Sequence, residues 1–411
     1  MNKKLVAVAI AGLLAAPLAQ AQTANVTLYG RVNIDMEFVN GRLANNTNPT
    51  VYRVSSNSSR FGIRGTESLG GGLNAIFQIE NGSIRPTTAD GGQMAGRDSF
   101  VGLSGGWGTV KVGRFLAPYD DIHGIFGNDN TYSTSILSTA AIWAQGFAGQ
   151  PGSGGFDDRL QQSIRYDTPS MSGFKLQMQF FTNGAATLGA GACTSGNPNL
   201  ACNAPASNAN GYSLSGGYAN GPFQGLVAYE AHNRTRIGGT GATGTLVPLS
   251  DWAFSVAAKW QFSQFNIAGV YEKMEYEVQN GAVVNKLKRN SFWGLDTTIN
   301  VGANGQLFVF YGQAGNGTGS ATVTAQPVIT ATKVTSDNTS RVAGLARGDQ
   351  TGASQWEVSY SYDLSKRTKI YTGYVKINND NNASYTFNIN SYNVSAGGSP
   401  GGFVMGMGHS F

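Results

Sequence analysis

From Asn25 onward, apolar and polar side chains alternate in segment after segment. Val26, Leu28, Val32 and Ile34 share one parity, while Thr27, Arg31, Asn33 and Asp35 share the other. Ala75, Phe77 and Ile79 oppose Gln78 and Glu80; Leu160, Ile164 and Tyr166 oppose Arg159, Gln161, Ser163 and Arg165. Phe174, Leu176, Met178 and Phe180 oppose Lys175, Gln177 and Gln179. Successive side chains of a strand point to opposite faces, so this period of two predicts strands with one apolar and one polar face.

The connections come in two alternating kinds. Short turns fall at 68–72, 105–106, 169–173, 220–222, around Ser263, at 302–305 and at 365–367. Between them run long polar loops, including 40–50, 115–158, 183–210, 233–250, 312–351 and 378–400. Seven short turns, with first and last strands closing on each other, predict an all-β fold of 16 antiparallel strands. An even strand number with turns segregated by length describes a transmembrane β-barrel, short turns on the periplasmic side and long loops outside. Structureless loops of ~20 residues argue against a soluble sandwich. The last strand carries Phe403, Met405, Met407 and Phe411 on the face that would meet lipid. Such an apolar edge aggregates unless it pairs, and a closed barrel pairs it with the first strand.

Composition agrees. Of 411 residues, 12% are charged, 41% hydrophobic and 57 are glycine. No run of 18 or more apolar residues follows the first 21 positions, which excludes a helical membrane protein. Abundant Gly, Asn, Ser and Thr disfavour a helix-rich enzyme. Lys3 and Lys4, the apolar run 5–16 and Ala19-Gln20-Ala21 form a secretory signal, so residues 1–21 are expected to be cleaved and 22–411 to form a single barrel. Without those two lysines, 26 basic residues stand against 23 acidic ones, a surplus of +3 too weak to suggest nucleic acid. Cys193 and Cys202 lie close together in a Gly/Ala/Asn-rich loop and read as one disulfide in an oxidising compartment rather than as a metal site.

Several motifs carry a resemblance. Val26-Thr27-Leu28-Tyr29-Gly30, Ser59-Arg60-Phe61-Gly62-Ile63-Arg64-Gly65-Thr66-Glu67, Leu69-Gly70-Gly71-Gly72-Leu73, Phe100-Val101-Gly102-Leu103 and Gly113-Arg114 followed by Pro118 resemble the Gram-negative general porins. Tyr362-Asp363-Leu364-Ser365-Lys366-Arg367-Thr368 and Gly408-His409-Ser410-Phe411 resemble their betaproteobacterial branch, of neisserial and Bordetella/Burkholderia type. The likeness runs from Gln22 to Phe411; His409 stands where an aromatic is common. The resemblance implies an outer-membrane homotrimer amid lipid and lipopolysaccharide, each barrel holding a water-filled pore for ions and small hydrophilic solutes. It also implies a third loop folded into the lumen, and a terminal Phe411 read by the outer-membrane assembly machinery. No cofactor and no enzymatic chemistry are expected. A general diffusion pore with mild anion preference is the reading; a substrate-specific channel, or a barrel serving as an adhesin or enzyme scaffold, are the alternatives.

The constriction can be sought from register. Arg60 lies eight residues from Ser68, Arg97 eight from Gly105, Arg159 eight from Asp167, and Arg31 seven beyond Ala24. At ~3.3 Å per residue and ~40° tilt these four arginines share one level, roughly 20 Å above the rim. The parity of Arg97 is the exception, because Ser99, Val101 and Leu103 share it and look lipid-facing. The resemblance places arginines of these motifs on the constriction wall. Opposite it the third loop would bring Asp120, Asp121 and Asp129, and a positive wall facing carboxylates creates a transverse field. Arg64, Lys111, Arg165, Lys175 and Glu80 are the further lumen charges.

Other features are read more plainly. His123 near Asp120 and Asp121 is expected to be solvated. Gly239-Thr240-Gly241-Ala242-Thr243-Gly244 matches a dinucleotide pattern but is followed by Pro248 and no helix, so it is a loop. Tyr29, Tyr166, Trp252, Trp260, Trp293 and Tyr371 are expected in interfacial girdles rather than in a sugar-stacking ladder.

Overall fold

The computed structural model describes residues 25–43, 46–82, 95–127, 135–143, 156, 158–182, 210–238, 247–280, 283–320, 347–392 and 394–411. Cys193, Cys202, Asp129, the leader and the Gly239–Gly244 motif lie outside these residues. Eighteen described strand segments form one closed sheet. They are β1 (Asn25–Asn40), β2 (Thr50–Ser56), β3 (Arg60–Gly70), β4 (Leu73–Asn81), β5 (Ser99–Gly105), β6 (Gly108–Leu116), β7 (Arg159–Asp167), β8 (Phe174–Thr182) and β9 (Asn210–Asn220). The other half comprises β10 (Phe223–Gly238), β11 (Val247–Gln261), β12 (Phe265–Asn280), β13 (Val283–Val301), β14 (Gly305–Ala314), β15 (Gly317–Gly319), β16 (Ala353–Asp363), β17 (Thr368–Asn379) and β18 (Gly401–Ser410).

β2 and β3 both pair with β1, so they are two halves of one crossing broken at 57–59. β15 continues the crossing of β14 against β13. The eighteen segments therefore make sixteen crossings, and every strand ladder is antiparallel. The seven short connections fall where the turn residues predict them. At the seam Arg31 stands opposite Ser410 and Asn40 opposite Gly401. Gly30 and Phe411 exchange both backbone hydrogen bonds at 3.0 Å. Closure leaves no strand edge, which is what a sheet in hydrocarbon requires. One feature departs from the loop pattern: β12 and β13, of 16 and 19 residues, extend as a long hairpin instead of ending in a long loop.

The two faces follow the alternation. Val26, Leu28, Ile63, Ile79, Val101 and Leu295 are exposed on the outside, whereas Asn33, Asp35 and Glu37 of β1 are buried inside. The outward Trp252, Trp260 and Trp293 agree with the girdle expectation, as does Tyr166, whose ring stacks on Trp107. Tyr29 and Tyr371 do not. Tyr371 is buried, and its hydroxyl donates to Asn33 Oδ1 at 3.0 Å; the Tyr29 hydroxyl donates to Glu80 Oε2 at 3.0 Å. Tyr29 shares parity with Arg31 and Asn33, and Tyr371 with the fully buried Val375 and Ile377, so both face the lumen.

The buried apolar core lies inside the barrel. Two inward-folded segments supply it. The first follows β6 and includes short 3-10 turns at Pro118–Gly124 and Thr139–Ala141. Its Tyr119, Ile122, Phe126, Ile136, Leu137, Ile142, Trp143 and Phe156 are fully buried. The second, residues 380–400, follows β17 and buries Ala383, Tyr385, Phe387 and Tyr392 in the same cluster. Burying each large apolar side chain is worth about 1.5–3 kcal/mol, enough to hold loops against a polar wall. The wall accommodates them with glycine: a Cβ at Gly402 would stand 2.5 Å from Ile136, and one at Gly294 2.6 Å from Phe126.

Candidate functional site

Among the described residues, most hydrogen bonds of the first inward segment go to one side of the barrel. The Tyr119 amide donates to Ser213 Oγ of β9 at 3.0 Å, and the Tyr119 hydroxyl to Glu272 Oε1 of β12 at 2.7 Å. The Gly127 amide donates to Asp296 Oδ2 of β13 at 2.7 Å, and Lys259 Nζ of β11 to the Gly124 carbonyl at 3.2 Å. Gln355 Nε2 of β16 donates to the Ser138 carbonyl at 2.9 Å. Arg289 of β13, fully buried, pairs with Glu272 and donates to the Ile142 carbonyl. The segment thus lines the wall from β9 to β16. Across from it stands the wall from β1 to β7.

That opposite wall carries the arginines. Arg31 and Arg60 are direct cross-strand partners. Arg60 Nε lies 3.7 Å from Glu80, and Arg97 Nε pairs with the same carboxylate. Arg159 Nε donates to Asp98 Oδ1 at 2.6 Å, so the next residue along the chain from Arg97 anchors the fourth arginine. Arg31 Nε donates to the Ser58 carbonyl at 3.4 Å, where the chain bends between β2 and β3. The fold therefore brings Arg60, Arg97 and Arg159 around Glu80 and Asp98, with Arg31 beside Arg60 across the ladder, and the cluster carries surplus positive charge. The side chains of Arg60, Arg97 and Arg159 retain 27%, 15% and 13% of their exposure, against 1% for Arg289 beneath the loop. They meet solvent; Arg289 does not.

Arg97 resolves its parity conflict. It precedes β5, and the backbone bends at residues 97–98 themselves before the strand begins at Ser99. Alternation counted back from Val101 and Leu103 does not extend through such a bend. Glu80, expected only as a further lumen charge, instead sits at the centre of the cluster.

The loop carboxylates are arranged differently from the expected opposition. Asp121 does not face the arginine cluster; it lies 3.4 Å from Arg165 on β7. Arg165 also pairs with Asp167 at 2.7 Å, and Lys111, its cross-strand neighbour, with Asp167 at 3.3 Å. Lys175 adds a further positive charge near Asp121. Burial raises the Asp121 carboxyl above the usual carboxylate range despite the pull of Arg165. The group pins the start of the inward segment to β7 and β8. Asp120 begins the same turn, half-buried. Arg64 stands nearer the rim, 4.9 Å over the Tyr29 ring. His123, expected in solvent, packs at a tilt against Trp143 at 4.6 Å between ring centres and so belongs to the loop's packing.

Sequence reasoning missed the second inward segment. Asn390 Nδ2 donates to Glu37 Oε1 at 2.7 Å and to Asn57 Oδ1 at 2.8 Å. Arg53 binds Glu37 and reaches the carbonyls of Asn390 and Ser391. The available signal was Tyr385, Phe387 and Tyr392, three aromatics in an otherwise polar loop.

Comparison with known proteins follows the same line. A family model described as Gram-negative porin matches residues 6–382. Outer membrane porin protein 32 of Delftia acidovorans is 26% identical over 427 residues, covering 100% of both chains. Major outer membrane protein P.IB of Neisseria gonorrhoeae is 31% identical over 186 residues, covering 44% of this chain and 48% of that one. Among solved structures, the anion-selective porin from Comamonas acidovorans aligns with a TM-score of 0.66 at 22% identity, covering 94% of this chain and all of that one.

Proposed function

Because the chain belongs to the Gram-negative porin family, forming an outer-membrane diffusion channel, we propose that this channel prefers anions among the ions and small hydrophilic solutes it passes. The observation that carries the preference is the cluster of Arg60, Arg97 and Arg159 around Glu80 and Asp98, with Arg31 beside Arg60, on the wall opposite the inward loop. Surplus charge in a narrow low-dielectric passage concentrates counter-ions. The name of the Comamonas relative points the same way. Export by residues 1–21, a Cys193–Cys202 bridge, and recognition of Phe411 by the assembly machinery complete the proposal.

A homotrimer belongs to the same reading. Outward Trp252, Trp260, Trp293, Tyr311 and Trp356 stand on β11, β13, β14 and β16. β1, β3, β4 and β5 present Val26, Leu28, Ile63, Ile79 and Val101 instead, with the exposed aromatics Phe403 and Tyr52 on the flanking β18 and β2. Aromatic girdles mark lipid–water boundaries, so the aliphatic sector is the one to meet another protomer.

Reversal potentials in planar bilayers test the ion preference. Arg60→Gln with Arg159→Gln should lower the anion/cation permeability ratio. The wild-type ratio should fade as salt rises, since the Debye length is about 10 Å at 0.1 M. An unchanged ratio in the double variant would remove these arginines from the constriction. Saturable block of the wild type by one sugar would favour a substrate-specific channel.

A further inference from the structure

A cavity of about 460 Å³ opens beside the turn between β16 and β17, at the mouth that carries the short turns. Arg31, Lys366, Arg367, Lys369 and His409 line it together with Asp363. The turn is held in place by its backbone: the Ser410 amide donates to the Arg367 carbonyl at 2.8 Å, and the Leu364 amide to the Thr368 carbonyl at 2.9 Å. Thr368 Oγ1 and His409 Nδ1 lie 2.9 Å apart, which orients the imidazole. Asp363 takes Lys369 at 3.6 Å, and the Phe411 carbonyl oxygen accepts from the Gly30 amide at 3.0 Å, one residue from Arg31. The four permanent cations outnumber this carboxylate, and the exposed Lys366 and Arg367 add to Arg31 deeper in. Arg31 is also the cross-strand partner of Arg60, so the cavity adjoins the arginine wall.

We infer that this cavity is a docking site for a small multivalent anion bearing two or more phosphate or carboxylate groups, and that its occupancy throttles the channel from the short-turn side. Exposed cations are screened and hold a single charge weakly. A ligand with several negative groups engages several cations at once, and the volume lies within the range of small-molecule sites. No feature of the opposite mouth enters this inference, so the site predicts a difference between the two sides of the membrane. It deepens the anion-preferring reading by naming the ligand class and its place, and rests on that reading only for Arg31.

The test adds tripolyphosphate to each chamber in turn while single-channel current is recorded in low salt. One side should block at about tenfold lower concentration than the other, the size expected from local counter-ion enrichment. Lys366→Gln with Arg367→Gln should abolish that asymmetry. Arg60→Gln with Arg159→Gln should keep it while reducing ion preference, which separates the mouth from the constriction. The turn variant keeps its backbone hydrogen bonds, and unchanged conductance in high salt verifies the fold. Equal block from both sides, asymmetry surviving in the turn variant, or asymmetry lost only in the Arg60/Arg159 variant would each overturn the site. A cation-preferring wild type that still shows the asymmetry would sink the lumen reading and leave the docking site standing.

Discussion

At the scale of single residues, Glu80 holds the arginine wall together. It pairs with Arg97 and Arg60 and accepts the Tyr29 hydroxyl, while its own side chain keeps only 8% of its exposure. Guanidinium groups repel one another, so the cluster forms because this carboxylate stands among them. Glu80→Gln keeps the shape and removes the charge. The anion/cation permeability ratio should rise, because two arginines lose their shared counter-charge, and reversal potentials measure it. Stability should fall by about 1–3 kcal/mol, the usual cost of weakened partners in a buried network. A falling ratio would show that Arg60 and Arg97 leave the lumen when Glu80 is neutral. Parity identified Glu80 as a lumen residue, but two to four residues of strand cannot reveal which arginines converge on it.

Among the elements, the segment 380–400 deserves comparison with the loop after β6. Both bury aromatic side chains in one cluster within the barrel. The loop after β6 is held mainly by hydrogen bonds to strands from β9 to β16, whereas the tip of the second segment is tied through Asn390 to Glu37, Arg53 and Asn57 near the seam. Arg53→Gln with Asn390→Ala should release it. Single-channel conductance should increase and larger neutral sugars should enter proteoliposomes, read by swelling rates. The barrel's unfolding temperature should move little, because the strand ladders are untouched. Deleting 384–391 gives the same comparison without depending on two contacts. An unchanged size limit in both variants would mean that the loop after β6 alone sets the passage.

For the whole molecule, closure decides which surface is inside and which is outside. Sixteen crossings joined at β1 and β18 turn an ordinary amphipathic pattern outside in, apolar residues outward and polar ones inward. The mainly aliphatic sector over β1, β3, β4 and β5 is the one proposed to meet a second protomer. Val101→Arg places a charge there, 62% exposed in the single barrel. In lipid such a residue costs about 2–4 kcal/mol near the midplane, and in a packed interface it acts as a wedge. Native gels should show the trimer converting to monomer while each barrel still conducts. Persistence of the trimer would move the contact to another sector.

The sequence alone determined the strands, their number and their turns, and the side that most strand residues face, because period-two alternation and turn chemistry are local properties that need no knowledge of distant contacts. For the same reason Arg31, Arg60 and Arg159 are assigned by counting to the polar faces of their strands. Only the tertiary structure decided what these residues meet. Arg97 turns inward because a bend precedes β5; Asp121 pairs with Arg165 rather than facing the arginines; Tyr29 and Tyr371 serve the lumen instead of the girdle. The path of residues 380–400 into the barrel was equally hidden, since nothing periodic marks a loop that gains its stability by burying three aromatics. Alternation is written in neighbouring residues, whereas a pore is defined by the space left between segments far apart in the chain, and that space exists only once the barrel has closed.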